Sequence, residues 1–556
     1  MTLFSVGLDY GTNSVRGLLV NIETGEEVGE SVFPYPHGKS GILLSPRDPN
    51  LARQHPQDYL DGALFVIKEI LRKGGQIKNF TPASVVGIGV DTTGSTPIPV
   101  DANGVPLALT PKFADDLAAM VYLWKDHTGH AEAAEITALA ASIRPQYLAK
   151  CGGTYSSEWF WAKLLRCARH DKEVFAAAFT WVEHADWIPA VLAGTTAPDQ
   201  IKRGVCAAGH KAMFSDTWDG YPDAEFLGEL SSELVRVRQT FPDEAYSVGT
   251  SIGTLCPEWA ALTGLSTNVV VSVGGFDAHL GAVGSGITPG ILVKNIGTST
   301  CDMMVAPTVP ALPDIPGLCG IVLGSILPEM YGLEAGQSAV GDIFNWFVNE
   351  IRPNGMSHEE LTAQAETLLP GESGLLALDW HNGNRTILVD QRLSGLVLGL
   401  TLHTTPVELY RAWVEATGFG ARIIMDRFEE YGQRVDAIVN CGGIAAKSPL
   451  VMQIYADVMG KEIRISRSTQ TAALGAAIAG AVAAGAHSGF PQAMSKMTGL
   501  HPRVFVPNPD AARIYTRLYE QYRLIHDAFG VANSNSNLGS VMKELLAIRD
   551  EVRREI

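Results

Sequence analysis

The strongest constraint on this chain is a motif that it carries twice. Residues 3–20 read as an apolar strand, a tight turn at Asp9-Tyr10-Gly11-Thr12-Asn13 and a second apolar strand, closed by Glu23-Thr24-Gly25-Glu26. Residues 291–305 have the same form, and Asn295-Ile296-Gly297-Thr298 lies over Asp9-Tyr10-Gly11-Thr12. Successive backbone N–H groups at such a turn converge into a nest that favours phosphate oxygens, and an Asp just before it can position a cation. One copy would be an ordinary hairpin. Two copies, half a chain apart, imply a duplicated fold with an anion clamp between its halves.

Length agrees with this, since 556 residues exceed what one core organises. The net charge of −17 argues against a nucleic-acid or anionic-membrane partner, either of which needs clustered Lys and Arg. It does not exclude a nucleotide, whose site needs local N–H donors and a metal. Seven scattered cysteines with no C-x-x-C are read as free buried thiols in a reducing compartment. Met1 runs straight into a strand with no basic leader region, and the most lipid-like run, 471–486, is Ala/Gly-rich and too short to span. A cytoplasmic protein without a membrane partner is expected.

Between the hairpins, spacing predicts a helix over 56–73, a buried strand at Val85–Asp91 opening into Thr92-Thr93-Gly94-Ser95-Thr96, and helices at 130–150 and 157–170. Trp181–Ile188 reads as helix running on to Leu192, and the strand 269–273 ends in Gly274-Gly275-Phe276-Asp277. The second half repeats the order: hairpin, helix at 338–351, strand at 437–440, a Gly pair at 442–443 and an Ala-rich helix at 469–485. Tyr515, Leu518, Tyr519, Tyr522 and Ile525 fall at helical spacing and predict a docked amphipathic helix. Residues 531–538 read as a loose Asn/Ser/Gly-rich stretch leading to a charged terminal helix whose place in the fold the sequence leaves open. Alternating strands and helices with a hairpin at each start predict α/β domains with mixed sheets rather than a pure doubly wound fold. The His37-Gly38-Lys39-Ser40 run lacks the first Gly of a Walker A loop, and no H-R-D or D-F-G stands as in protein kinases.

The duplicated hairpins, Gly275-Phe276-Asp277, Gly442-Gly443 and the run Gly395–Leu400 with Glu408-Leu409, Ala412 and Val414-Glu415 resemble the FGGY carbohydrate kinases over roughly residues 3–530. Trp413 departs from the pattern, standing where a smaller residue is usual. Asp91–Thr96, Leu123–His127, Ala208–Met213 and Tyr331–Ser338 are similar to the bacterial members that phosphorylate L-ribulose. The resemblance implies two ribonuclease-H-like (actin/hexokinase-like) domains from an internal duplication, with an interdomain cleft. Residues 1–287 would form a sugar-binding domain, 288–530 a nucleotide-binding domain and 531–556 a tail.

The implied reaction uses ATP and Mg2+ to phosphorylate a terminal hydroxyl of a sugar, which needs a phosphate clamp, a proton acceptor and an acceptor held in line. By resemblance Asp277 is the catalytic base, and Asp9 reaches the metal through water. Gly11, Thr12, Asn13, Arg16, Gly297, Thr298, Gly336, Gly442, Gly443 and Lys447 fall to the nucleotide. Gly94, Ser95, Thr96, Trp124, Lys211 and Glu334 fall, with Asp277, to the sugar. The resemblance also implies a homodimer. L-ribulose in L-arabinose breakdown is the expected substrate; D-ribulose, D-xylulose or ribitol, and an actin- or Hsp70-like ATPase without a sugar, are the competing expectations.

Overall fold

A computed structural model describes residues 2–78 and 80–555. Its core is two mixed sheets of seven strands built to one plan. In the first, Phe4–Tyr10 runs antiparallel to Ser14–Asn21, which pairs with Glu27–Pro34. On its other side Phe4–Tyr10 runs parallel to Val85–Thr92; Val270–Ser272 follows in parallel and Ser251–Thr254 antiparallel. In the second, Ile291–Ile296 is flanked by antiparallel Thr300–Pro307 and Met330–Ala335, then by parallel Ala437–Cys441 and Ile463–Ser466, with antiparallel Leu500–Phe505 last. Six strands repeat in spatial order and direction, as the doubled hairpin predicts; the seventh differs, Gly275–Phe276 lying beside Val85–Thr92 in the first sheet and Gly320–Leu323 forming an extra edge beside Met330–Ala335 in the second.

Alternation along the first strand explains how the halves join. Val6, Leu8 and Tyr10 face one side, where the helix Pro56–Gly74 covers them with Val66, Ile67 and Ile70. Ser5, Gly7 and Asp9 face the other, in register with Gly87, Gly89 and Asp91. That face is bare because the Ala-rich helix Thr471–Ala483, from the far end of the chain, lies directly on it. A Cβ on Gly7 would stand 1.8 Å from the Ala473 carbonyl oxygen, and one on Gly89 1.9 Å from that of Ala476. The Ser5 hydroxyl donates to the Ala477 carbonyl at 2.7 Å. The same helix packs on Asp277–Gly284, where a Cβ on Gly475 would meet the Leu280 carbonyl at 1.8 Å.

Several boundaries differ from the sequence reading. Trp181-Val182-Glu183 is strand, not helix: Thr180–Glu183 pairs with Pro97–Val100, and the helix starts at His184. Trp and Val suit a pleated surface, and pairing there aims Glu183 at Ser95 and Thr96. Residues 130–150 split into His130–Ile143 and Pro145–Ala149, as a proline forces. The helix expected over 338–351 is a short one, Gly341–Trp346, running into a π turn at Phe347–Ile351. The helix Pro509–Gly530 buries the five residues expected of it. The charged terminal helix expected is present as Val541–Glu555, and the structure gives it its place: it sinks Val541, Leu545, Ile548 and Val552 into the second-half core and is tied by Arg517 to Glu544 and Glu551. All seven cysteines are free thiols, and among the described residues no helix is long and apolar enough to cross a membrane.

Candidate active site

Strand register assembles three carboxylates at the cleft end of the first sheet. Asp9 lies beside Asp91, Asp91 lies beside Gly275, and Asp277 opens the helix two residues later. Asp91 is fully buried, and neither of its oxygens has a hydrogen-bond partner among the described residues. Burial first, then the charges of Asp9 and Asp277, push its pKa well above the usual carboxylate range. Burial and the Asp9 charge push Asp277 up to about 7, against the Ala278 N–H that one of its oxygens accepts at 2.7 Å. Arg16, half-exposed, donates to Asp9 at 3.1 Å. The two orphaned oxygens of Asp91, beside the carboxylates of Asp9 and Asp277, make an oxygen-only corner that fits a hard divalent cation, which takes carboxylate and water oxygens.

Next to this corner lies a cavity of about 260 Å³ between the halves, lined by Thr12, Thr93, Gly94, Trp124, Lys211, Asp277, His279, Glu334 and Arg385 with the second hairpin tip. The Lys211 ammonium stands 3.3 Å from both Glu334 oxygens, and both residues are buried. Burial alone would raise the Glu334 pKa, but Lys211, His210 and His279 outweigh it and hold the group ionised, well below its ordinary value. Glu334 in turn offsets the burial that would lower Lys211. Trp124 donates its indole N–H to the Thr12 hydroxyl at 3.0 Å, so one side chain both walls the cavity and pins the first hairpin tip.

A second cavity of about 670 Å³ lies in the other half, lined by Gly341, Phe344, Tyr410, Gly443 and Lys447 among others. Gly297 and Thr298 line both cavities. The second tip therefore stands between them, where a group passing from one to the other would be held. Its shape is fixed from behind, since Val340 and Asp342 donate backbone N–H groups to the Thr298 carbonyl.

Not every expected residue reaches a cavity. Ser95 and Thr96 are fully buried and turned to Glu183, which accepts from the Ser95 hydroxyl and, at 2.7 Å, from the Thr96 N–H. Only Gly94 of that trio lines the cavity, together with Thr93. The Gly11 N–H is spent on the Ser14 carbonyl at 3.0 Å, and the Asn13 amide on that of Ser40. Gly442, at φ +91°, is a close-approach glycine whose Cβ would meet Asn295 Oδ1 and the Ile296 carbonyl at 2.6 Å; Gly443 faces open space. Gly336 lines neither cavity: its missing Cβ leaves room for the Thr300 carbonyl and the Arg385 guanidinium, which would stand 2.1 and 2.6 Å away.

Sequence reasoning missed Asp91, His279 and Arg385. Asp91 had a signal, because it closes an apolar strand as Asp9 does. His279 had a weaker one, two residues past Asp277. Arg385 comes from a loop with no pattern; its Nη2 donates to the Thr300 carbonyl, and its Nε has no partner among the described residues.

Residues 4–284 match the N-terminal domain of the FGGY family of carbohydrate kinases, and residues 292–484 match its C-terminal domain. The chain belongs to that family. Curated relatives include a ribulokinase of Vibrio parahaemolyticus, 43% identical over 93% of this chain and 94% of the relative. A ribulokinase of Shouchella clausii is 40% identical over 100% and 99%. Among solved structures, a xylulose kinase from Lactobacillus acidophilus superposes with a TM-score of 0.78 at 19% identity, over 95% of this chain and 99% of that one. Plasmodium falciparum glycerol kinase with ADP does so with a TM-score of 0.76 at 15% identity, over 96% and 99%. At such identities these structures bear on the fold alone, which is that of the sugar kinases. Membership makes the chain a carbohydrate kinase, and kinases of this kind draw on ATP.

Proposed function

We propose that this enzyme transfers the γ-phosphoryl group of ATP to the terminal hydroxyl of L-ribulose, giving L-ribulose 5-phosphate for L-arabinose breakdown. The observation that carries the reading is the shared wall at Gly297-Thr298. On one side lies a small polar cavity with Asp277, Lys211 and Glu334; on the other lies a larger cavity with Gly443 and Lys447. The names of the curated relatives point to ribulose as the sugar.

In this reading the Lys211–Glu334 pair presents a donor and an acceptor to the hydroxyls of the sugar. Asp277, as carboxylate, takes the proton from O5 as that oxygen attacks the γ-phosphorus and the bond to the bridging oxygen of ADP breaks. The proton leaves late in a loose transition state, so a base with a pKa near neutrality suffices. Thr12 and Thr298, one on each half, bracket the phosphates, and Arg16 balances the charge of Asp9. Mg2+ would be held at Asp9 through water, beside Asp91 and Asp277, and would neutralise phosphate charge there. Adenosine occupies the larger cavity, with Gly443 open to it and Lys447 at its edge. Because the two tips sit on different halves, joint binding of sugar and nucleotide closes the cleft and excludes water.

A coupled ADP-release assay over a panel of ketopentoses and pentitols tests the substrate. L-ribulose is expected among the best by kcat/KM; a clear preference for another sugar would overturn that choice while leaving the kinase. Asp277→Asn is expected to lower kcat by about 10³-fold, within the range for losing a general base. ATP turnover that ignores sugar and survives this substitution would instead mean an ATPase.

A further inference from the structure

We infer that His279 contacts the sugar and, with Glu334, reads the configuration of one secondary hydroxyl. The inference rests on the ketopentose-kinase reading above.

His279 stands two residues beyond Asp277 on the same helix and lines the same cavity. It is 2% exposed, and neither ring nitrogen has a hydrogen-bond partner among the described residues. Buried polar atoms are rarely left so, and here the missing partner has a place to sit. Burial lowers the imidazole pKa to about 4, so at neutral pH the ring offers one donor and one acceptor. Its Nε2 lies 3.7 Å from Glu334 Oε2. That is too long for a direct bond and suits a hydroxyl lodged against both groups.

The rest of the cluster holds Glu334 still. His210 Nδ1 stands 3.2 Å from the same Oε2, and its Nε2 shares a hydrogen bond with the Ser325 hydroxyl at 3.0 Å. Gly320 makes room for this ring, since a Cβ there would fall 1.9 Å from His210 Nδ1. His210, His279 and Glu334 lie as close together as the ligands of a metal, with their donor atoms within 4.8 Å of one another. The Lys211 ammonium, 3.3 Å from both Glu334 oxygens, speaks against a second cation at that carboxylate. An ammonium, a carboxylate and a neutral imidazole around one cavity form a mixed donor–acceptor set, which suits a polyol. Sites that hydrogen-bond a particular hydroxyl reject partners that misplace it far better than apolar pockets do.

The test compares wild-type enzyme, His279→Leu and His279→Gln on ketopentose epimers, with sugar and ATP KM measured separately and folding checked by thermal melting. Expected for His279→Leu is a fall of roughly 10²-fold in kcat/KM for the best sugar, an ATP KM within about twofold, and a narrowed spread between epimers. His279→Gln, which keeps a donor and an acceptor, is expected to recover about tenfold of the loss. If His279→Leu does not fold, sugar affinity of the Gln variant by calorimetry decides. Unchanged sugar KM and epimer ranking in a folded variant would overturn the inference, as would one equivalent of Zn2+ bound tightly by wild type and lost in His279→Leu. A wild-type enzyme idle on every ketopentose would overturn the kinase reading and this inference with it; an active wild type with an indifferent variant overturns the inference alone.

Discussion

The two hairpins share their turns and differ in where they keep their charge. In the first, Asp9 and Arg16 face each other across the strands and pair at the cleft end, with Asp91 on the next strand. In the second, the matching positions are Asn295 and Cys301, with Cys441 on the next strand. The second hairpin also has an ion pair, Lys294 with Asp302, but one residue earlier along the strand, and both side chains are fully buried. Side chains alternate with period two, so a shift of one residue turns a pair from the cleft to the core. One scaffold thus yields a charged tip suited to a cation and a neutral tip that leaves room for phosphates. The difference is one of parity, not of shape.

The largest effect expected from breaking this contrast is on stability. Asp302→Asn strands the Lys294 ammonium in the core and is expected to cost about 3–5 kcal/mol, read from urea unfolding, with kcat of the folded protein unchanged. Replacing both partners, Lys294→Met with Asp302→Leu, should recover most of it; failure to do so would mean the pair has a role beyond neutralising itself. Next comes Asp9→Asn, which gives the first tip the second tip's residue. A fall of about 10²-fold in kcat/KM for ATP, eased by raised Mg2+, is expected in steady-state kinetics. A loss below fivefold would deny the first tip its cationic role.

The converse change, Asn295→Asp, gives the second tip a charge. It should raise the ATP KM by roughly tenfold through repulsion of the phosphates, with the sugar KM little altered. The smallest effect concerns Asp277, whose pKa rises from about 4 when unfolded to about 7 when folded. The folded state therefore keeps a proton that the unfolded state gives up, and stability contributed by this group declines as pH rises from about 4 to 7. Measured without Mg2+, Asp277→Asn should melt roughly 2 °C higher than wild type at pH 8 and show little gain at pH 4. An equal difference at both pH values would deny the shift.

The duplicated architecture was legible because its signal is local and doubled: hairpin turns, apolar strands and a glycine after each tip. Asp277, Lys211 and Glu334 were legible only through resemblance, since they come from a helix start, a helix end and a strand that meet across the cleft. What escaped had non-local causes. Trp181–Glu183 becomes strand because Pro97–Val100 is there to pair with it. Ser95 and Thr96 turn inward because Glu183 waits behind them. The last helix docks because the Pro509–Gly530 helix and the core beneath it offer an apolar seat, which no window of its own charged sequence reveals. His279 and Arg385 depend on what surrounds them in space.

The glycine face under the first sheet has a consequence for dividing the protein. Gly7, Gly87 and Gly89 lie directly against a helix encoded near the other end of the chain. A fragment ending after the first half would present a flat strip of bare backbone to water, while the complementary fragment would carry an Ala-rich helix with no seat. The halves are structurally repeated yet not autonomous. Co-expressed as two polypeptides they should associate through this helix, and a side chain grown at Gly89 should prevent the reunion more surely than any surface charge.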